Sequence, residues 1–156
     1  PIPVGFFDFQ QNLRAYRSNN GEVYSFFTSL LEVEREMERM KKHDGLAFVF
    51  PLWWWSMPAM LKGYIDRVWN DGFAYGPNKL QHEHVLWISL AGAPIERFEK
   101  RRYNTMIDHY FNIGLADYCG IPNSKIKLLY ETIDPRPGHV EKMLNQAYNL
   151  GLDYAS

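Results

Sequence analysis

Cysteine is nearly absent from this chain. One thiol, Cys119, serves all 156 residues, which excludes an internal disulfide and any cysteine-based zinc cluster. It lies in the apolar stretch Leu115-Ala-Asp-Tyr-Cys-Gly-Ile121 and reads as a buried, inert thiol rather than a nucleophile. Net charge is almost absent too: 17 Lys and Arg stand against 18 Asp and Glu, with the signs intermixed. That balance argues against nucleic acid, an anionic membrane surface or a strongly charged partner, and for an ordinary solvated surface. No apolar run approaches the ~20 residues of a membrane-spanning helix. No signal-peptide pattern is visible, so a cytoplasmic protein is expected. No Ser-His-Asp elbow and no Walker loop appears. The chain starts at Pro1 without an initiator methionine and so reads as a processed, truncated or incompletely represented product.

What is abundant is apolar and aromatic. Apolar residues make up 46% of the chain and aromatics 16%, enough to bury one core, and the length fits a single domain over residues 1–156. Ile2–Phe7 reads as a short strand that Pro3 confines to an edge or a strand start. Arg17-Ser-Asn-Asn-Gly21 reads as a loop. From Glu22 to about His43 the apolar spacing of Val23, Phe26, Phe27, Leu30 and Leu31 predicts a helix. Its charged second half is a solvated face, ended by Asp44-Gly45.

Leu46-Ala-Phe-Val-Phe50 is a continuous apolar run and fits a strand buried on both faces. Helix is predicted from Pro58 to about Asn70, with Pro58 in its first turn and Ser56 as its cap. A loop follows over Asp71–Asn78. Val85–Ala91 is a second strand, Glu96 to about Tyr118 a long helix, Ile126–Tyr130 a third strand, and Val140 to about Tyr154 a final helix. Alternating short strands and helices imply an α/β fold with a parallel sheet covered on both faces. Such sheets bind ligands at the carboxyl ends of their strands. The segments after Phe50, Ala91 and Tyr130 are therefore the candidate site loops.

The loop after Phe50, Pro51-Leu-Trp-Trp-Trp-Ser-Met-Pro58, stands out. It leaves a strand end and enters a helix amino terminus, where backbone N–H groups lack partners. Trp53, Trp54 and Trp55 cannot all face inward, so at least one should offer a flat apolar wall. A flavin ring suits both features: it is planar, and fixed amide dipoles stabilise the negative charge that its reduction develops. Taken alone, such an aromatic cluster reads as core or dimer-interface packing before it reads as a flavin wall.

Phe50-Pro-Leu-Trp-Trp-Trp-Ser-Met-Pro-Ala-Met-Leu-Lys-Gly-Tyr-Ile-Asp-Arg-Val-Trp69, with Gly72-Phe-Ala-Tyr-Gly76, closely resembles the NAD(P)H:quinone oxidoreductase family, the group of DT-diaphorase, modulators of drug activity and potassium-efflux ancillary flavoproteins. The match is strong from Asp44 to Gly76, and weak through Val85–Gly92 and Cys119–Ile121. The resemblance implies a flavodoxin-like three-layer sandwich, bound FAD or FMN, NAD(P)H as cosubstrate, a quinone-like acceptor and a homodimer with sites built between subunits. It implies that Pro51, Leu52, Trp53, Trp54 and Trp55 line the flavin ring and that Ala91 and Gly92 approach its pyrimidine edge. The family's second glycine is lacking in Ser89-Leu-Ala-Gly92. Gly72–Gly76 would lie near the active-site mouth. The family's amino-terminal strand and phosphate-binding loop find no counterpart here. That segment reads as missing, and without it flavin affinity should fall.

Other residues were weighed. His82-Glu-His84 has the spacing of a metal pair but no third ligand nearby, so no metal is expected. His109 is a candidate proton donor, against a surface histidine. Tyr75 and Tyr103 are candidate substrate-pocket hydroxyls, against simple packing. The leading function is hydride transfer from NAD(P)H through flavin to a quinone. The rival is a non-enzymatic, flavodoxin-like regulatory or binding subunit.

Overall fold

A computed structural model describes residues 31–134 and 136–155, which fall into two compact units divided between Met40 and Lys41. In the first, residues 31–40 are helical, as their Leu, Glu, Arg and Met content favours. Arg39 Nε donates to Glu36 Oε2 at 2.8 Å across one turn. The earlier part of the expected Glu22–His43 helix lies outside the described residues. So do the Ile2–Phe7 strand, the Arg17–Gly21 loop and the position of a phosphate-binding segment.

The second unit runs β1 (Gly45–Pro51), α1 (Ala59–Val68), β2 (His84–Leu90), α2 (Ile95–Lys100), α3 (Tyr103–His109), β3 (Asn123–Leu129) and α4 (His139–Ala155). Helix α3 passes without a break into a π-helical segment, Tyr110–Asp117. The three strands are parallel in the order β1-β2-β3. His84 faces Gly45 and Asn123, and Leu90 faces Pro51 and Leu129. The carboxyl ends are thus level, and the loops after all three strands leave from one edge of the sheet.

Only β2 is buried along both faces. Its side chains alternate, as a strand's must. Leu86 and Ile88 join Leu129 on one face, where Ala147, Leu150 and Tyr154 of α4 cover them. Trp87 points to the other face. There it stacks on Phe48 at 4.8 Å between ring centroids and meets Phe111 of the π-helical segment at 5.1 Å. Trp69, just past α1, closes the cluster at 6.1 Å from Trp87. Burying each such side chain stabilises the fold by ~1.5–3 kcal/mol. Helices therefore lie on both faces of a parallel α/β sheet, as expected.

Three expectations change. Strand β1 has no neighbour on its outer side among the described residues, and Val49 is 68% exposed, so β1 is not buried on both faces. The third strand starts at Asn123, because pairing with His84 extends it into the polar Asn-Ser-Lys run. The long helix expected over Glu96–Tyr118 is broken: Arg102 takes φ 57°, ending α2 and starting α3 in a new direction. Among the described residues no helix is long and apolar enough to cross a membrane.

Candidate functional site

The loop after β1 is a tight turn. Trp53 N–H donates to Ser56 O and Ser56 N–H to Trp53 O, both at 3.0 Å. Between them Trp54 has φ 49° and Trp55 φ 64°. Positive φ at both central residues is the mark of a type I′ turn, which normally uses Asn and Gly. In left-handed backbone an ordinary side chain costs about 1–2 kcal/mol per residue, so this turn must be held by its surroundings.

Its anchors are visible. Leu52 N–H donates to Leu90 O at 2.8 Å, tying the loop to the end of β2. The indole of Trp55 stacks on Tyr103, at 3.8 Å between centroids and 23° between planes, and meets Phe98 edge-on at 5.8 Å. Phe98 also meets Tyr130, at the end of β3, at 5.1 Å. Aromatic contacts thus join the loops after all three strands, each pair adding about 0.5–1.5 kcal/mol beyond burial. Burial raises the Tyr130 phenol above its ordinary range, with a further push from the Glu99 carboxylate.

Trp54 takes no part in this network. Its indole is 93% exposed, and Trp53 and Met60 beside it are 58% and 90% exposed. Among the described residues the Trp54 and Trp55 amides donate to no backbone carbonyl. Ser56 is not the cap of α1. The turn has taken its backbone, and Pro58 stands at the N-cap position with no side-chain cap. The first-turn amides of α1 are left open. Flat indole surface and undirected N–H donors, at the level carboxyl ends of a parallel sheet, are what the ring of a flavin requires, so these residues fit that group.

The loop after β2 is less open than its sequence implies. Ala91 is buried, donates its N–H to Leu129 O at 2.8 Å and accepts from Thr132 N–H at 3.1 Å. Gly92 is exposed, and among the described residues its amide donates to no backbone carbonyl. Left-handed backbone recurs here as well. The four non-glycine residues of positive φ among the described ones are Trp54, Trp55, Arg102 and Glu131 (φ 58°). Trp54, Trp55 and Glu131 lie in segments leaving the carboxyl ends of β1 and β3, and Arg102 joins α2 to α3. Strain of this kind gathers where a site needs a fixed shape.

A family model described as flavodoxin-like fold matches residues 9–150. The chain belongs to the flavodoxin-like fold family. An uncharacterized NAD(P)H oxidoreductase of Escherichia coli K12, YcaK, is 42% identical over 113 residues, covering 72% of this chain and 52% of that protein. The human ribosyldihydronicotinamide dehydrogenase [quinone] is 32% identical, covering 67% of this chain and 49% of the relative. Among solved structures, the NAD(P)H:quinone oxidoreductase from Methanothermobacter marburgensis superposes with a TM-score of 0.73 at 27% identity, covering 85% of this chain and 70% of that one. The resemblance read from the tryptophan loop is thereby borne out. The chain spans about half the length of these curated relatives.

The remaining candidates stand apart from the loop. The Tyr75 ring meets Tyr118 at 6.0 Å. Tyr118 adjoins Cys119, whose carbonyl accepts from Leu80 N–H, ahead of β2. His109 is exposed at the far end of α3, some 9 Å along the axis from Tyr103 by helical rise. His82 is buried while His84 is exposed, so the pair does not share one environment. Among the described residues no group of three or more His, Cys, Asp or Glu could hold a metal. Tyr103 packs on Trp55, and Phe98 and Tyr130 complete a cluster that the chain pattern did not single out. The place of Tyr130 just beyond β3 was the available signal; Phe98, inside α2, carried none.

Proposed function

We propose that this chain is the ring-binding part of a flavin-dependent NAD(P)H oxidoreductase with a quinone-like acceptor. The observation that carries the reading is the Trp53–Ser56 turn, which sets an exposed indole beside unpaired amides at the ligand end of the sheet. The names of the relatives agree with it. FAD or FMN would supply the hydride carrier between the two substrates.

The chain's own residues do the following. Trp54 and Trp53 offer the apolar wall on which a planar ring stacks and from which water is excluded. The Trp54, Trp55 and Gly92 amides point partial positive charge at the edge where reduction develops negative charge, with no cation buried. Pro51 and Leu52, tied to β2, fix the height of that wall. Nicotinamide and acceptor would use the open side in turn. Tyr75, in its Gly72–Gly76 segment, and His109 lie apart from this loop within one chain, so they would reach a site mouth only if a second subunit completed the pocket.

The test is steady-state oxidation of NADH or NADPH by the flavin-loaded chain with a benzoquinone acceptor. Quinone-dependent turnover is expected. Flavin binding without turnover on any quinone would favour a regulatory, non-enzymatic subunit.

A further inference from the structure

The left-handed Trp54–Trp55 turn has few holds, and one of them comes from outside its own strand pair. Its backbone closure is internal, Trp53 with Ser56, and Leu52 is fixed to β2 one residue earlier. The closure fixes where the two residues of positive φ sit, but it offers their side chains no packing to offset the strain. The side chain of Trp54 is free in solvent. Of the two strained residues, only Trp55 is gripped, face-on by Tyr103 at 3.8 Å and edge-on by Phe98.

Tyr103 is itself delivered by strain. It is the first residue of α3 and follows Arg102, whose φ of 57° turns the chain between α2 and α3. The break at Arg102 sets where α3 starts, and the Tyr103 ring at that start lies against the turn. The Arg101 guanidinium donates to the Tyr103 hydroxyl at 3.3 Å. Two left-handed segments on different strand connections therefore meet in one aromatic stack.

We infer that Tyr103 is a positioning residue: by stacking on Trp55 it holds the Trp53–Ser56 turn in its left-handed form and so keeps Trp54 and the neighbouring amides presented at the ligand end of the sheet. The stack does the holding; the hydroxyl is dispensable. The link to flavin rests on the function proposed above, while the clamp itself does not.

The test is hydrogen exchange at the Trp53 and Ser56 amides, the two that close the turn, in the chain without flavin, followed by titration with FMN. Tyr103→Leu is expected to speed exchange at both amides about tenfold or more while the β2 amides keep their rate. Tyr103→Phe, which keeps the ring, is expected to restore slow exchange. FMN affinity is expected to fall about tenfold in Tyr103→Leu and to stay within about twofold in Tyr103→Phe.

Unchanged exchange in Tyr103→Leu overturns the inference. So does a Phe variant as fast as the Leu variant. So does faster exchange with FMN affinity intact, because the clamp would then not serve the ring. If Tyr103→Leu loosens β2 as well, Trp55→Leu removes the stack from its other side and decides: local loss supports the clamp, and general loss contradicts it. A wild-type chain that binds neither FMN nor FAD refutes the flavin reading, and the exchange result still decides the clamp; where it binds FAD alone, the affinity comparison is made with FAD.

Discussion

Trp54 combines two features that do not favour stability: a left-handed backbone at φ 49° and an indole left almost wholly in water. Glycine would adopt that backbone without strain. Trp54→Gly is therefore expected to leave the unfolding free energy unchanged or raise it by up to about 1 kcal/mol, since relieved strain offsets the added freedom of the unfolded chain. The same change should weaken flavin binding about tenfold, because one stacking wall is gone. Urea denaturation and a flavin titration on one preparation measure both. A clear loss of stability would show that the indole packs after all. That this loop exposes tryptophan was legible in the sequence, since three adjacent tryptophans at a strand end cannot all be buried. Which of them would be free was not. Nothing in a run of identical residues distinguishes the one at φ 49° from its neighbours, and the Asn-Gly signal that normally announces such a turn is absent. Ser56 misled for the same reason, because a capping residue type sits where the turn consumes its backbone.

The elements were readable from apolar runs, most clearly β2, whose uninterrupted pattern matches its burial on both faces. Strand β1 has an equally apolar sequence and a different fate, because burial depends on neighbours that a run of side chains does not reveal. The crossover after β2 was read as one helix. Helix-favouring residues continue through Arg101 and Arg102 and the apolar spacing resumes at Tyr103, but a single left-handed residue redirects the axis. Beyond that point the helix widens into π form, and Asn112 enters a polar chain. The Trp87 indole N–H donates to Ser124 Oγ at 3.1 Å. The Ser124 hydroxyl donates to Asn112 Oδ1 at 2.7 Å, and Asn112 Nδ2 donates to Asp108 Oδ1 at 2.9 Å. This chain ties the sheet to the crossover helix and satisfies the one polar atom of the most central side chain. Ser124→Ala is expected to strand the buried indole N–H and destabilise the fold by about 1–3 kcal/mol. A shift in denaturation midpoint equivalent to less than about 0.5 kcal/mol would mean the bond contributes no more than a surface contact.

Across the whole molecule, one edge of the sheet gathers the unusual features. Three level strand ends open there, three non-glycine residues hold positive φ in the segments that leave them, and a ring network from Trp55 through Phe98 to Tyr130 braces those segments. In the loop after α1, by contrast, positive φ falls to Gly72 and Gly76, where it costs little. Membership of the flavodoxin-like fold family explains why the ends are level. The strained, braced turn gives this chain's version of that edge a fixed apolar face. The central claim is that this face receives a flavin ring. Titration of the purified chain with FMN and with FAD, followed by quenching of flavin fluorescence, tests it most directly. Saturable quenching by at least one of the two, reduced in Trp54→Gly, is the predicted result. Fluorescence that stays undiminished for both flavins as the folded chain is added would contradict the account.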